Sequence, residues 1–166
     1  MEAKDVIQLY KLFEKNNIEA WIDGGWGIDA LLGKQTRPHE DLDIAIDRKD
    51  VIKLRSLLKE YQEKPKEGST EWNFVLYDEK GHEIDVHVFE FDDKKNNVYG
   101  IEYPKESLTG EGIINGQAVK CISPEWVIKF HADYEPKDND LRDIRALCEK
   151  FGIEPPENYK KLKNLF

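Results

Sequence analysis

Two acidic residues, Asp41 and Asp43, stand two positions apart in the segment Arg37-Pro38-His39-Glu40-Asp41-Leu42-Asp43-Ile44. Leu42, Ile44 and Ile46 alternate with Asp41, Asp43 and Asp47, broken only at Ala45, so the stretch reads as a strand. Side chains two apart on a strand share a face. Carboxylates held together repel and raise each other's pKa. A divalent cation offsets that repulsion, and Mg²⁺ suits a site of one or two carboxylates completed by phosphate oxygens. An isolated Asp-x-Asp is more often a plain acidic strand face, so its surroundings decide.

About sixteen residues earlier, Asp23-Gly24-Gly25 separates a short strand over 19–22 from a helix over 26–32. Without side chains, Gly24 and Gly25 let backbone N–H groups approach a phosphate, and the helix start favours an anion. Arg37 and His39 precede the carboxylates and are candidates to neutralise triphosphate charge. A third acid, Asp85, lies where Ile84, Val86 and Val88 alternate with Glu83, Asp85, His87 and Phe89. If that strand lies beside the first, Asp41, Asp43 and Asp85 converge. Two metal ions about 4 Å apart use such bridging acids. Asp85 is the candidate metal ligand and proton acceptor. Glu83 and His87 share its face as weaker candidates.

The elements that must position these residues follow from periodicity and punctuation. Val6, Ile7, Leu9, Tyr10, Leu12 and Phe13 predict a helix over 5–15. Asp50 is a candidate N-cap for a helix carrying Val51, Ile52, Leu54, Leu57 and Leu58. Residues 72–77 and 83–90 read as strands joined by a turn at 78–81, and 98–103 as another strand. Asn115-Gly116 marks a hairpin within 112–122. Ser123-Pro124 opens a helix, and a last helix holds Leu141, Ile144, Leu147 and Cys148 and ends at Gly152. The expected fold class is α+β, a mixed central sheet with flanking helices and a small C-terminal helical part. A catalytic domain over 1–122 would precede a helical region over 123–166.

Composition narrows the partners. The chain has 166 residues and a formal charge of −9, which argues against nucleic acid as a main partner. It would suit a cationic small molecule or simply keep the surface soluble. No apolar run approaches the roughly 20 residues of a membrane span. Met1-Glu2-Ala3-Lys4-Asp5 does not read as a signal peptide. Cys121 and Cys148 form no CxxC, which points to reduced core cysteines in a cytoplasmic protein. Trp21, Trp26 and Trp72 are candidates for base stacking or for the core. Glu79, Glu83, Glu90, Asp92 and Asp93 could face a polyamine or form a solvated strand edge.

Together, Gly24-Gly25-Trp26-Gly27-Ile28-Asp29, Arg37 to Ile44 and Ile84-Asp85-Val86-His87 resemble the antibiotic nucleotidyltransferases. These include the short lincosamide and the aminoglycoside 2''-nucleotidyltransferases, in the polymerase-beta-like superfamily. The resemblance runs from the first helix to at least Leu147. It implies a polymerase-beta-like fold. It also implies Mg²⁺-dependent transfer of a nucleoside monophosphate, AMP from ATP by default, to an antibiotic hydroxyl with release of pyrophosphate. Asp41, Asp43 and Asp85 would bind two Mg²⁺ ions and carry the catalysis. Gly24, Gly25, Arg37 and His39 would lie beside the triphosphate. Lys137, in a Lys-Asp-x-x-Asp-like pattern ending at Asp143, would lie near the phosphates. Some relatives complete the acceptor site across a homodimer, although no interface stripe is visible here. Two alternatives stay open: a nucleotidyltransferase acting on protein or RNA, and a non-catalytic nucleotide-binding module.

Overall fold

The computed structural model describes residues 1–65 and 68–160. The first helix, α1 (Ala3–Lys15), buries Val6, Leu9, Tyr10 and Phe13 at helical spacing. Its N-terminus is closed by Asp5, which accepts the Glu2 N–H at 3.0 Å. A three-residue strand, β1 (Ala20–Ile22), then leads into α2 (Gly24–Leu32). This helix begins at Gly24, two residues before the expected start, because the Asp23 carboxylate accepts the Gly24 N–H at 2.8 Å.

The strand β2 (Asp41–Asp47) runs parallel to β5 (Glu83–Phe91), with Asp41 opposite Glu83, Asp43 opposite Asp85 and Ala45 opposite His87. Antiparallel β1 covers the other edge of β2. Along the far edge of β5, two short strands pair in succession. First comes β4 (Asn73–Tyr77), against residues 83–87; then β6 (Asn97–Gly100), against residues 89–91. The hairpin of β7 (Gly110–Ile114) and β8 (Gln117–Cys121) turns at Asn115-Gly116, both with positive φ as such a turn requires. It joins β1 through the parallel pair Ile22 and Cys121.

Ile44, Ile46, Leu42, Ile84, Val86 and Val88 are all but inaccessible to solvent. They form one core with residues of α1 and α2, and with α4 (Pro124–His131) and α5 (Asp138–Phe151). Cys121 and Cys148 are free thiols buried in it. The α5 helix packs on α2 and α4, and its Lys150 Nζ donates to the carbonyls of Leu31 and Leu32 at the end of α2. A short α6 (Glu157–Lys160) follows; residues 161–166 of the expected helical region lie outside the described residues. Among the described residues no helix is long and apolar enough to cross a membrane.

Some elements differ from expectation. In α3 (Val51–Leu57) the Asp50 side chain makes no cap bond; Asp47 caps a 3-10 turn over Arg48–Asp50 instead, accepting the Lys49 N–H at 2.9 Å. Ile52 is 80 % exposed, because Val51, Leu54 and Leu58 already occupy the inward positions of so short a helix. The strand expected over 98–103 ends at Gly100. Ser123 takes the cap position of α4, although its hydroxyl makes no cap bond. The edge strand β3 (Gln62–Lys64) was not anticipated, being three exposed polar residues without alternation.

Candidate active site

The face of the sheet opposite Ile44 and Val86 carries a row of acids. Asp23, directly after β1, donates its N–H to the Asp43 carbonyl at 2.9 Å, so it continues the register of β1 beside Asp43. Asp43 in turn stands opposite Asp85. Oxygens of Asp43 and Asp85 and a ring nitrogen of His87 lie within 4.8 Å of one another. Asp41 shares the face one pair along, opposite Glu83, and falls outside that group. Ala45, the residue that interrupts the alternation of β2, gives His87 a small neighbour.

His87 is oriented by a relay. Tyr103 donates its hydroxyl hydrogen to Asp23 at 2.6 Å, so its oxygen can accept only from the His87 Nδ1–H, 3.1 Å away. The other ring nitrogen, Nε2, then faces Asp85 at 3.6 Å. A histidine that gives one N–H to a second shell and turns the other nitrogen toward carboxylates is arranged as a metal ligand.

Burial, then the neighbouring Asp41, push the Asp43 carboxyl up to about 7, with Asp23 and Asp85 adding to the rise and His87 opposing it. Burial alone would lower the affinity of His87 for its proton; the charge and hydrogen bond of Asp23, then Asp43 and Asp85, reverse this and raise it. Burial also pushes Asp23 up, but His87, Tyr103 and the Gly24 N–H together hold its carboxyl below the ordinary range. Burial, then Asp23, push the Tyr103 hydroxyl well above its usual range, so it remains a donor. Two crowded carboxylates and a directed imidazole fit a divalent cation.

The glycines lie against this row. Gly24 has a φ of 55°, and a Cβ there would strike the Asp43 carboxylate. A Cβ on Gly25 would strike the His39 ring and lie 3.0 Å from Arg37 Nη2. Arg37 and His39 are thus brought beside the turn, though held by other partners. Arg37 pairs with Asp143 at 3.1 Å, and His39 Nε2 lies 2.5 Å from Asp29. Lys137 is exposed at the start of α5, where its N–H is accepted by Asp140 at 2.8 Å. None of its described contacts reaches the acid row.

Trp21 and Trp26 are core residues, Trp21 donating to the Leu108 carbonyl at 2.7 Å. Trp72 stays partly exposed in an edge-to-face contact with Tyr99. In the acidic run, Glu83 is paired with Lys64 and Glu90 with Arg48. Asp23 and Tyr103 were not singled out as site residues from the sequence. Asp23 had a local signal, its place beside Gly24-Gly25; Tyr103 had none, since the contact spans 80 positions.

The aminoglycoside-2''-adenylyltransferase family model matches residues 5–147. A lincosamide resistance protein of Staphylococcus haemolyticus is 30 % identical over 87 % of this chain and 92 % of its own. A 2''-aminoglycoside nucleotidyltransferase of Escherichia coli is 28 % identical over 95 % of this chain and 93 % of its own. The lincomycin-bound lincosamide adenylyltransferase LnuA superposes with a TM-score of 0.77 at 26 % identity, over 93 % of this chain and 99 % of that one. ANT(2'')-Ia in complex with adenylyl-2''-tobramycin superposes with a TM-score of 0.74 at 20 % identity, over 96 % and 93 %, a likeness of fold. The architecture is the polymerase-beta-like nucleotidyltransferase fold. The acid row and the match across nearly the whole chain lead to one assignment: the protein is a nucleotidyltransferase and belongs to the aminoglycoside-2''-adenylyltransferase family.

Proposed function

We propose that this enzyme transfers AMP from ATP to a hydroxyl of a lincosamide or aminoglycoside antibiotic, with release of pyrophosphate. The observation that carries the reading is the in-register pair Asp43 and Asp85, set against the Gly24-Gly25 turn at the start of α2. Asp43 and Asp85 would hold Mg²⁺ with His87 beside them, and Asp41, one pair along, would serve a second ion. Bound there, Mg²⁺ orients a triphosphate and lowers the pKa of an attacking hydroxyl.

The chain's own groups do the rest. Backbone N–H groups at the start of α2 meet the triphosphate, helped by the helix dipole. Arg37, beside Gly25, adds a positive charge. Asp85 takes the proton from the acceptor hydroxyl. The acceptor oxygen then bonds to the α-phosphorus, the α–β bridging P–O bond breaks, and pyrophosphate leaves. The acceptor class is supported from two sides. The lincosamide resistance protein has the higher identity, while the charge of −9 suits a polycation.

The test is pyrophosphate release from ATP and Mg²⁺ with separate panels of lincosamides and aminoglycosides. Release that requires one drug class and vanishes in Asp43→Asn supports the reading and fixes the acceptor. No release with any drug or any of the four triphosphates sinks the antibiotic reading and redirects the search to metabolite or protein acceptors.

A further inference from the structure

Asp29, Arg37, His39 and Asp143 form a second polar cluster, directly behind the Gly24-Gly25 turn. Arg37 donates from Nε and Nη2 to one oxygen of Asp143, at 3.3 and 3.1 Å. Its Nη1 stands 3.0 Å from His39 Nδ1. Arginine can only donate, so Nδ1 of His39 is the acceptor and carries no proton. The imidazole proton is on Nε2, given to Asp29 at 2.5 Å. Asp29 is fixed in turn by the N–H and hydroxyl of Thr36, at 3.0 and 2.6 Å. The ring of Trp26 lies 4.8 Å from that of His39. His39 is thereby a neutral support under Gly25, and the positive charge of the cluster resides on Arg37.

A guanidinium has five N–H bonds. Three are committed, two to Asp143 and one to His39. The remaining two sit on Nη1 and Nη2, and the Arg37 side chain is 29 % exposed while that of Asp143 is 6 % exposed. Nη2 lies 3.0 Å from the position a Gly25 Cβ would take, just beyond the His39 ring. We propose that Asp143 is a positioning residue for nucleotide binding: it fixes the Arg37 guanidinium so that its two uncommitted N–H bonds meet triphosphate oxygens beside Gly25. This rests on the Gly24-Gly25 turn taking the triphosphate, as proposed above. Burial pushes the Asp143 carboxyl up and the adjacent Arg37 works against it, as for an acid kept in place by its partner. Through this contact α5, 106 positions away in sequence, becomes part of the nucleotide site.

The experiment is calorimetric titration with a non-hydrolysable ATP analogue and Mg²⁺. It compares wild type, Asp143→Asn, Asp143→Ala, Arg37→Ala and the Arg37→Ala/Asp143→Ala double variant. Asp143→Ala is expected to weaken binding about tenfold, as loss of a charge-assisted pair does, with Asp143→Asn between it and wild type. In the Arg37→Ala background the second substitution adds less than about twofold, because what Asp143 positions is already gone. In steady-state assays the Asp143→Ala loss is expected in the KM for ATP. Should Asp143→Ala not fold, the near-isosteric Asp143→Asn carries the same comparison. Unchanged affinity in the Asp143 variants, or an equal loss in both backgrounds, overturns the positioning role and leaves the nucleotidyltransferase reading intact. A wild type that binds no triphosphate overturns both.

Discussion

Two clusters of carboxylate and imidazole lie on either side of the Gly24-Gly25 turn, and they are built on opposite principles. Behind the turn, Asp29 and Asp143 are answered by Thr36, His39 and Arg37. In front of it, Asp23, Asp43 and Asp85 crowd around His87, and Tyr103 donates to Asp23. The first set is satisfied within the fold and acts as scaffold. The second crowds its acids, and burial, then Asp41, push the Asp43 carboxyl up to about 7. Buried acids crowded in this way mark a functional site. The contrast also separates the two histidines. His39 is locked as a neutral prop, whereas His87 presents a nitrogen to the acids.

The sharpest way to break this contrast is to neutralise one acid on each side. Asp43→Asn is expected to lower the rate of pyrophosphate release by about three orders of magnitude or more, on the scale of losing a group that acts in the transition state. Its melting temperature should hold or rise, because a repelling charge is removed. A fall in melting temperature of several degrees would place Asp43 with the scaffold instead.

Asp29→Ala should do the reverse. Removing a buried acceptor that serves His39 and both Thr36 donors costs about 3 kcal/mol in urea unfolding. An unchanged unfolding midpoint would show that the rear cluster carries no structural weight. Mg²⁺ comes next in size. Millimolar Mg²⁺ is expected to raise the melting temperature of wild type by a few degrees, through binding to the folded state alone. EDTA should reverse the rise, and Asp43→Asn should show none. Equal stabilisation of both proteins would mean that the ion sits elsewhere.

The smallest effect concerns Cys121, whose thiol is pushed up to about 12 by burial first and by the charge of Asp23 second. A raised thiol pKa keeps the reactive thiolate scarce, so raising pH from 7 to 9 should leave Cys121 unlabelled by a disulfide reagent in the native protein. Labelling should appear on adding urea. Rapid native labelling would contradict the burial of this strand.

Much of the front cluster was legible in the sequence because its acids lie on strands of period two. Parity alone puts Asp41, Asp43 and Asp85 on the faces opposite Ile44 and Val86, and only the pairing of β2 with β5 had to be supplied. The Asn115-Gly116 hairpin and α1 were equally readable, since their signals are local. The rear cluster was not. That Arg37 and His39 lie near the turn follows from the motif, but what holds them depends on α5 docking against α2. Asp143 ends the Lys-Asp-x-x-Asp-like pattern, but nothing in its spacing names Arg37, 106 positions away, as its partner. Tyr103 escaped for a similar reason: its segment lost strand character after Gly100, and its partner Asp23 belongs to the opposite end of the sheet's connectivity.

The grip of α5 on both ends of α2 constrains how chain length can drift. Asp143 acts near the beginning of α2 through Arg37, and Lys150 closes its last carbonyls. The two lie two helical turns apart, roughly 10 Å along the axis and on one side of it. A single residue inserted between them would swing one by about 100° and abandon one end of α2. The stretch from 143 to 150 therefore works as a ruler that tolerates exchange of side chains at its exposed positions but no indels. The exposed Asp92 to Asn96 turn, closed by the Asp92 carboxylate on Lys94 and Asn96, is free to lengthen.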